Sequence, residues 1–170
     1  AGEHLVDFDR LKGDPGYAGI LETTAKRLGS SHAFKRFLQS FPFVCFAQFR
    51  PLFRDLFVKR LNHEQPRTIV LFMDTMVMDN DDAMKREGVE PTYQKTKGFQ
   101  PLQVFWRGLP VDAVFRGGSK HSNHGDTARQ ALEHLIGDIH NRYDDEVPIV
   151  VRFDSGFFDQ ALFESLEEKN

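Results

Sequence analysis

Residues 68–74 read Thr-Ile-Val-Leu-Phe-Met-Asp, and residues 148–154 read Pro-Ile-Val-Val-Arg-Phe-Asp. Each is a short, nearly continuous apolar run with β-branched residues, and each stops at an aspartate. Runs of this length and composition predict strands covered on both faces. A helical pattern lies between them, from Asp126 to Arg142, with Ala128, Leu132, Leu135, Ile136 and Ile139 as its buried stripe. A right-handed crossover through that helix leaves the two strands parallel and close, with Asp74 and Asp154 at the same carboxyl end. In open α/β sheets that edge is where ligands bind.

Working outward, Leu102–Trp106 and Val111–Phe115 predict two further short strands, joined by a turn at Arg107–Pro110. Trp106 reads as a sheet-packing residue. The segment Asp79–Thr96 is polar and reads as a loop, and Phe157–Glu168 predicts a last helix. Upstream the grammar is helical. Tyr17–Leu28 predicts one helix, Gly29-Ser30-Ser31 breaks it, and His32–Gln39 predicts a second with Phe34, Phe37 and Leu38 on one face. That outline fits both a DNA-reading helix-turn-helix and an ordinary helical hairpin, with Lys35 and Arg36 turned away from the apolar face. A third helical pattern spans Phe41–Leu61, where Pro51 is expected to kink or divide it. The breaker Asn62–Pro66 then separates a helical region, residues 1–66, from a mixed α/β region, residues 67–170.

The 170 residues carry 22 Lys and Arg against 25 Asp and Glu, a net charge of −3. Residues 1–66 hold 10 basic and 7 acidic side chains, and residues 67–170 hold 12 and 18. The split is compatible with a polyanion-binding arm beside an acidic body, and equally with two solvated faces that differ. A single cysteine, Cys45, excludes a disulfide scaffold and reads as a buried thiol among phenylalanines. No window approaches a membrane span. The class expected is a soluble globular protein of a reducing compartment.

The chemistry rests on the aspartate pair. Two carboxylates held close repel unless a cation or a proton intervenes, and oxygen ligands favour Mg²⁺ or Mn²⁺ over Zn²⁺. Each aspartate taken alone reads as well as a cap of the following turn. His121 and His124 have HxxH spacing but lack further zinc ligands, so their loop reads as solvated or as touching phosphate with Lys120. Asp79-Asn80-Asp81-Asp82 imitates a calcium loop but lacks the required Gly and Glu.

Met73-Asp74-Thr75-Met76-Val77, followed by Lys97-Gly98-Phe99-Gln100-Pro101-Leu102, resembles the first catalytic block of bacterial insertion-sequence DDE transposases. Arg152-Phe153-Asp154-Ser155-Gly156-Phe157-Phe158 resembles their second block. Arg116-Gly117-Gly118 with His121-Ser122 is similar to the loop between the blocks, and Ser30–Leu38 to the helices before the core. The resemblance spans roughly residues 5–165. It implies a partial RNase H-like mixed sheet preceded by an all-α N-terminal region. Asp74 and Asp154 would be catalytic metal ligands for Mg²⁺ or Mn²⁺ in a two-metal site that cleaves transposon ends and transfers the freed 3′-hydroxyl strand. DNA would be the partner, with Lys35, Arg36, Lys97, Arg116, Lys120 and His121 as contacts. Self-association in a transposition complex and a cytoplasmic, nucleoid-associated location are also implied. The family's third ligand is a glutamate on a later helix. Glu164, Glu167 and Glu168 come too early to match it, so the expectation is a fragment of a longer enzyme with an incomplete site. Two rival readings are a non-catalytic DNA-binding remnant and a metal-dependent nuclease without strand transfer.

Overall fold

The computed structural model describes residues 4–82, 87–122 and 124–169. Contacts divide the chain into two compact units, residues 1–48 and 49–170. In the first, α1 (Asp7–Lys12), α2 (Pro15–Ile20), a 3-10 turn (Ala25–Arg27) and α3 (Ser31–Gln39) follow one another. Asp14 caps α2 through the backbone N–H groups of Gly16 and Tyr17, and Pro15 occupies its first turn. The single helix expected over Tyr17–Leu28 is not formed. Glu22 takes a left-handed backbone, φ 49°, while Glu22 N–H donates to the Gly19 carbonyl and Thr23 N–H to that of Ala18. This is a Schellman ending, and it stops the helix after one and a half turns. Ten residues therefore separate α2 from α3, so the two do not form a helix-turn-helix. Ser30 caps α3, and Asp9 of α1 accepts from the Ser31 N–H at 3.0 Å. The rings of Phe8 and Phe34 stack at 3.7 Å. Phe37 and Leu38 are exposed, and Ala18 is the one buried apolar side chain among the described residues of this unit.

Helix α4 (Phe43–Glu64) crosses the boundary between the units and continues unbroken through Pro51. Proline's fixed φ suits a helix, and the change costs one N–H bond and some strain rather than the helix itself. The breaker at residues 62–66 is where α4 ends, with Gln65 in the left-handed region. Cys45 is half-buried rather than buried.

The second unit is built on a four-stranded sheet. Its strands are β1 (Ile69–Thr75), β5 (Leu102–Trp106), β6 (Leu109–Val114) and β7 (Ile149–Arg152), in the order β6-β5-β1-β7. β5 runs antiparallel to β1 and β6, whereas β7 runs parallel to β1. Helix α5 (Thr127–Arg142) makes the crossover, with all five expected stripe residues buried, and α6 (Gln160–Glu167) follows β7. Ile69, Leu71 and Met73 face these helices and form one core with Phe57 and Leu61 of α4, Trp106, Leu135, Ile139, Phe157 and Leu162. Arg50 reaches from α4 to Asp112, whose side chain is only 1% exposed, through bonds of 2.8 and 2.6 Å. That fork satisfies a buried carboxylate and fixes α4 across β6.

The expectation of strands covered on both faces is corrected. Val70 and Phe72 are 40% and 45% exposed, and Val150 46%, because α4, α5 and α6 pack on the opposite face, that of Ile69, Leu71 and Met73. A second correction concerns residues 79–96, read as a loop. They contribute β2 (Met78–Asp79) and β3 (Glu90–Pro91), which pair with β4 (Lys97–Phe99) in a small sheet ordered β2-β4-β3. Two-residue strands carry no periodicity to read. The last helix begins at Gln160 rather than Phe157, after a 3-10 turn over Ser155–Phe157. The mixed α/β architecture, helices followed by parallel and antiparallel strands, is that of an RNase H-like fold.

Candidate active site

Asp74 lies inside β1, which runs one residue beyond it, and Asp154 lies two residues past the end of β7. The parallel register pairs Ile69 with Ile149 and Phe72 with Arg152. The ladder ends there; Asp74 is two residues beyond Phe72 and Asp154 two beyond Arg152, so both stand at the carboxyl end of the parallel pair. The faces agree as well. Ile69, Leu71 and Met73 point to the core, so Val70, Phe72 and Asp74 point away from it. In β7 Ile149 and Val151 pack on the core, so Val150, Arg152 and, through an extended backbone, Asp154 point the other way. Both carboxylates thus leave the same open face at the same end.

Each uses one oxygen locally. Asp74 Oδ1 accepts from the Thr75 N–H at 2.7 Å, and Asp154 Oδ1 from the Gly156 N–H at 2.9 Å, capping the 3-10 turn. Capping and presentation are therefore compatible: the second oxygen of each has no protein partner among the described residues. No set of three or more potential metal ligands is assembled among those residues. Two carboxylates with free oxygens nevertheless fit Mg²⁺, which keeps several waters and takes further oxygens from a phosphate.

A polar network frames this edge. Thr75 Oγ1 lies 3.4 Å from Ser122 Oγ and accepts from Gln100 Nε2 at 3.4 Å. Arg116 is 7% exposed. Its Nε donates to the Gln100 carbonyl at 3.2 Å and its Nη1 to the Ser122 carbonyl at 3.4 Å. Burial lowers its affinity for a proton, and its Nη2 has no partner among the described residues. It therefore ties the 116–122 loop to the start of β5 from within, rather than presenting its charge outward. The loop leans on the second aspartate: a Cβ at Gly156 would stand 2.8 Å from Ser122 Oγ and 3.0 Å from Asp154 Oδ1. Glycine in Asp-Ser-Gly-Phe is what permits that approach.

Further out, Ser119 donates its N–H and hydroxyl to Glu90, holding that carboxyl below its usual range. The Glu90 carboxylate and carbonyl sit where side chains at Gly117 and Gly118 would stand. The rings of His121 and His124 meet edge-on at 5.3 Å. Burial first, then Lys120, His121 and Arg116, lowers the proton affinity of His124. Lys97 and His121 are exposed and Lys120 half-buried, while Lys35 and Arg36 are exposed on α3 in the first unit. Thr75 and Gln100 stood in a block recognised by resemblance, without roles of their own, and Glu90 had no signal in the sequence. Ser122 stood in a loop recognised by resemblance alone.

The family model described as Transposase DDE domain group 1 matches residues 1–170, the whole chain. No curated protein and no solved structure matches it. No helix among the described residues is long and apolar enough to cross a membrane. The aspartate pair and its framing loop thus stand in a chain that belongs to the DDE transposase family.

Proposed function

We propose that Asp74 and Asp154 are the first two acidic ligands of a divalent-metal site through which this transposase cleaves transposon ends and joins the freed 3′-hydroxyl strand to target DNA. The observation that carries the reading is the placement of both aspartates on one face, at one end of adjacent parallel strands. Bound Mg²⁺ or Mn²⁺ would activate the attacking oxygen and stabilise the leaving one. The chain's own residues do the rest. Thr75 and Gly156 N–H groups orient the two carboxylates, and Ser122 lies 3.4 Å from Thr75 and packs against Gly156. Lys97, Lys120 and His121 offer charge and hydrogen-bond donors to the DNA backbone, with Arg116 holding their loop in place. Lys35 and Arg36 add phosphate contacts from the helical unit, and self-association brings two ends together. Such work belongs to the cytoplasm, at the nucleoid.

An excision assay tests this, with the transposase that contains this chain expressed beside a marker flanked by its transposon ends. Asp74→Ala and Asp154→Ala should each reduce excision by a factor of about 100 or more, the order of loss seen when a charge-stabilising catalytic group is removed. Excision that persists in both variants would contradict the reading. Cleavage at the ends without joining to a target would favour a metal-dependent nuclease.

A further inference from the structure

Phe158 is 82% exposed, more than any other large apolar side chain among the described residues. It ends the segment Asp154-Ser155-Gly156-Phe157-Phe158, and its outward position is built rather than incidental. Asp154 caps the 3-10 turn, and Phe158 N–H donates to the Ser155 carbonyl at 3.2 Å. Phe157 is fully buried and anchors the turn from inside. Asp159 then starts α6 by accepting from the Leu162 N–H at 2.9 Å. With residues on both sides fixed, the Phe158 ring meets the Phe163 ring edge-on, at 5.4 Å and 77°.

Scattered single apolar side chains on a surface need no explanation. This one stands out by its neighbours. Two residues before it, Gly156 receives Ser122, which brings up the loop holding Lys120 and His121. An exposed ring with cationic side chains on a neighbouring loop is the combination that binds single-stranded nucleic acid, with bases on the ring and phosphates on the cations.

We propose that Phe158 is a base-stacking residue, which holds an unpaired nucleobase of the DNA strand whose phosphate lies at Asp74 and Asp154. The inference rests on the transposase reading of that edge. Its effect is to keep the strand end splayed from its complement, so that the reacting phosphate stays in place.

The test uses the full chain and a short DNA duplex with an unpaired 3′ overhang carrying 5-iodouracil. Wild-type protein should photocrosslink to this probe at Phe158, as located by mass spectrometry. It should also prefer the overhang to a blunt duplex by roughly tenfold, the lower range for one stacked base. Phe158→Ala and Phe158→Leu should lose both the crosslink and the preference, while blunt-duplex affinity is unchanged. Phe158→Trp should restore the preference. Leucine retaining it would overturn stacking in favour of plain apolar contact. Bound DNA with no crosslink at Phe158, or equal preference in all variants, would overturn the inference and leave the transposase reading standing. A wild-type chain that binds neither duplex would overturn both.

Discussion

At Gly156 a single carbon atom is enough to disturb the site. An added Cβ stands 2.8 Å from Ser122 Oγ and 3.0 Å from Asp154 Oδ1, closer than carbon and oxygen pack. Making room would disturb the contact of Ser122 with Thr75 or the cap that Asp154 puts on its own turn. Gly156→Ala should cost about 1–3 kcal/mol, as overpacking does, and weaken divalent-metal binding at Asp154. Thermal melting read beside a Mn²⁺ titration checks this. A variant as stable as wild type, with the same affinity, would show that the loop does not press on the aspartate. Arg116 makes a related point about charge. Its guanidinium is buried against the carbonyls of Gln100 and Ser122, where a cation's cost is met by fixing a loop rather than by an ion pair.

Among the elements, β1, α5 and β7 were legible in the sequence, because each carries a periodicity or an apolar run long enough to outvote its neighbours. Their parallel pairing followed from the crossover rule, and with it the placement of both aspartates. What was not legible has physical causes. The end of α2 depends on Glu22 accepting a left-handed backbone, which a glutamate does not advertise. The uncovered face of β1 depends on where the helices pack, since Val70 and Phe72 look like core residues in one dimension. The β2–β4 sheet is too short for a pattern, and its root is the tie between Glu90 and Ser119. That tie predicts a pH effect. The Glu90 carboxyl is held below 4.5, first by the Ser119 hydroxyl and then by its N–H. Its contribution to stability is therefore present above 4.5 and is lost as pH falls through the lower folded-state value. Ser119→Ala should flatten that part of the acid limb, so that its melting temperature drops less than wild type's between about pH 5 and pH 3. An identical acid limb in both proteins would exclude the tie as a contributor.

For the molecule as a whole, the net charge of −3 conceals a basic helical region and an acidic α/β region. In the α/β region Asp74 and Asp154 stand at the same end of two adjacent parallel strands, with no ion pair among the described residues. Their oxygens suit a hard divalent ion, and this gives the fold a use for one before any DNA arrives. The DDE family assignment, the RNase H-like sheet and the loop on Gly156 all bear on that one position. The most direct measurement is Mn²⁺ binding followed by electron paramagnetic resonance, for wild type, Asp74→Asn and Asp154→Asn. The account predicts saturable binding that falls at least about tenfold in affinity in each variant, because each removes one of two shared ligands. Mn²⁺ bound equally well by all three proteins would contradict it.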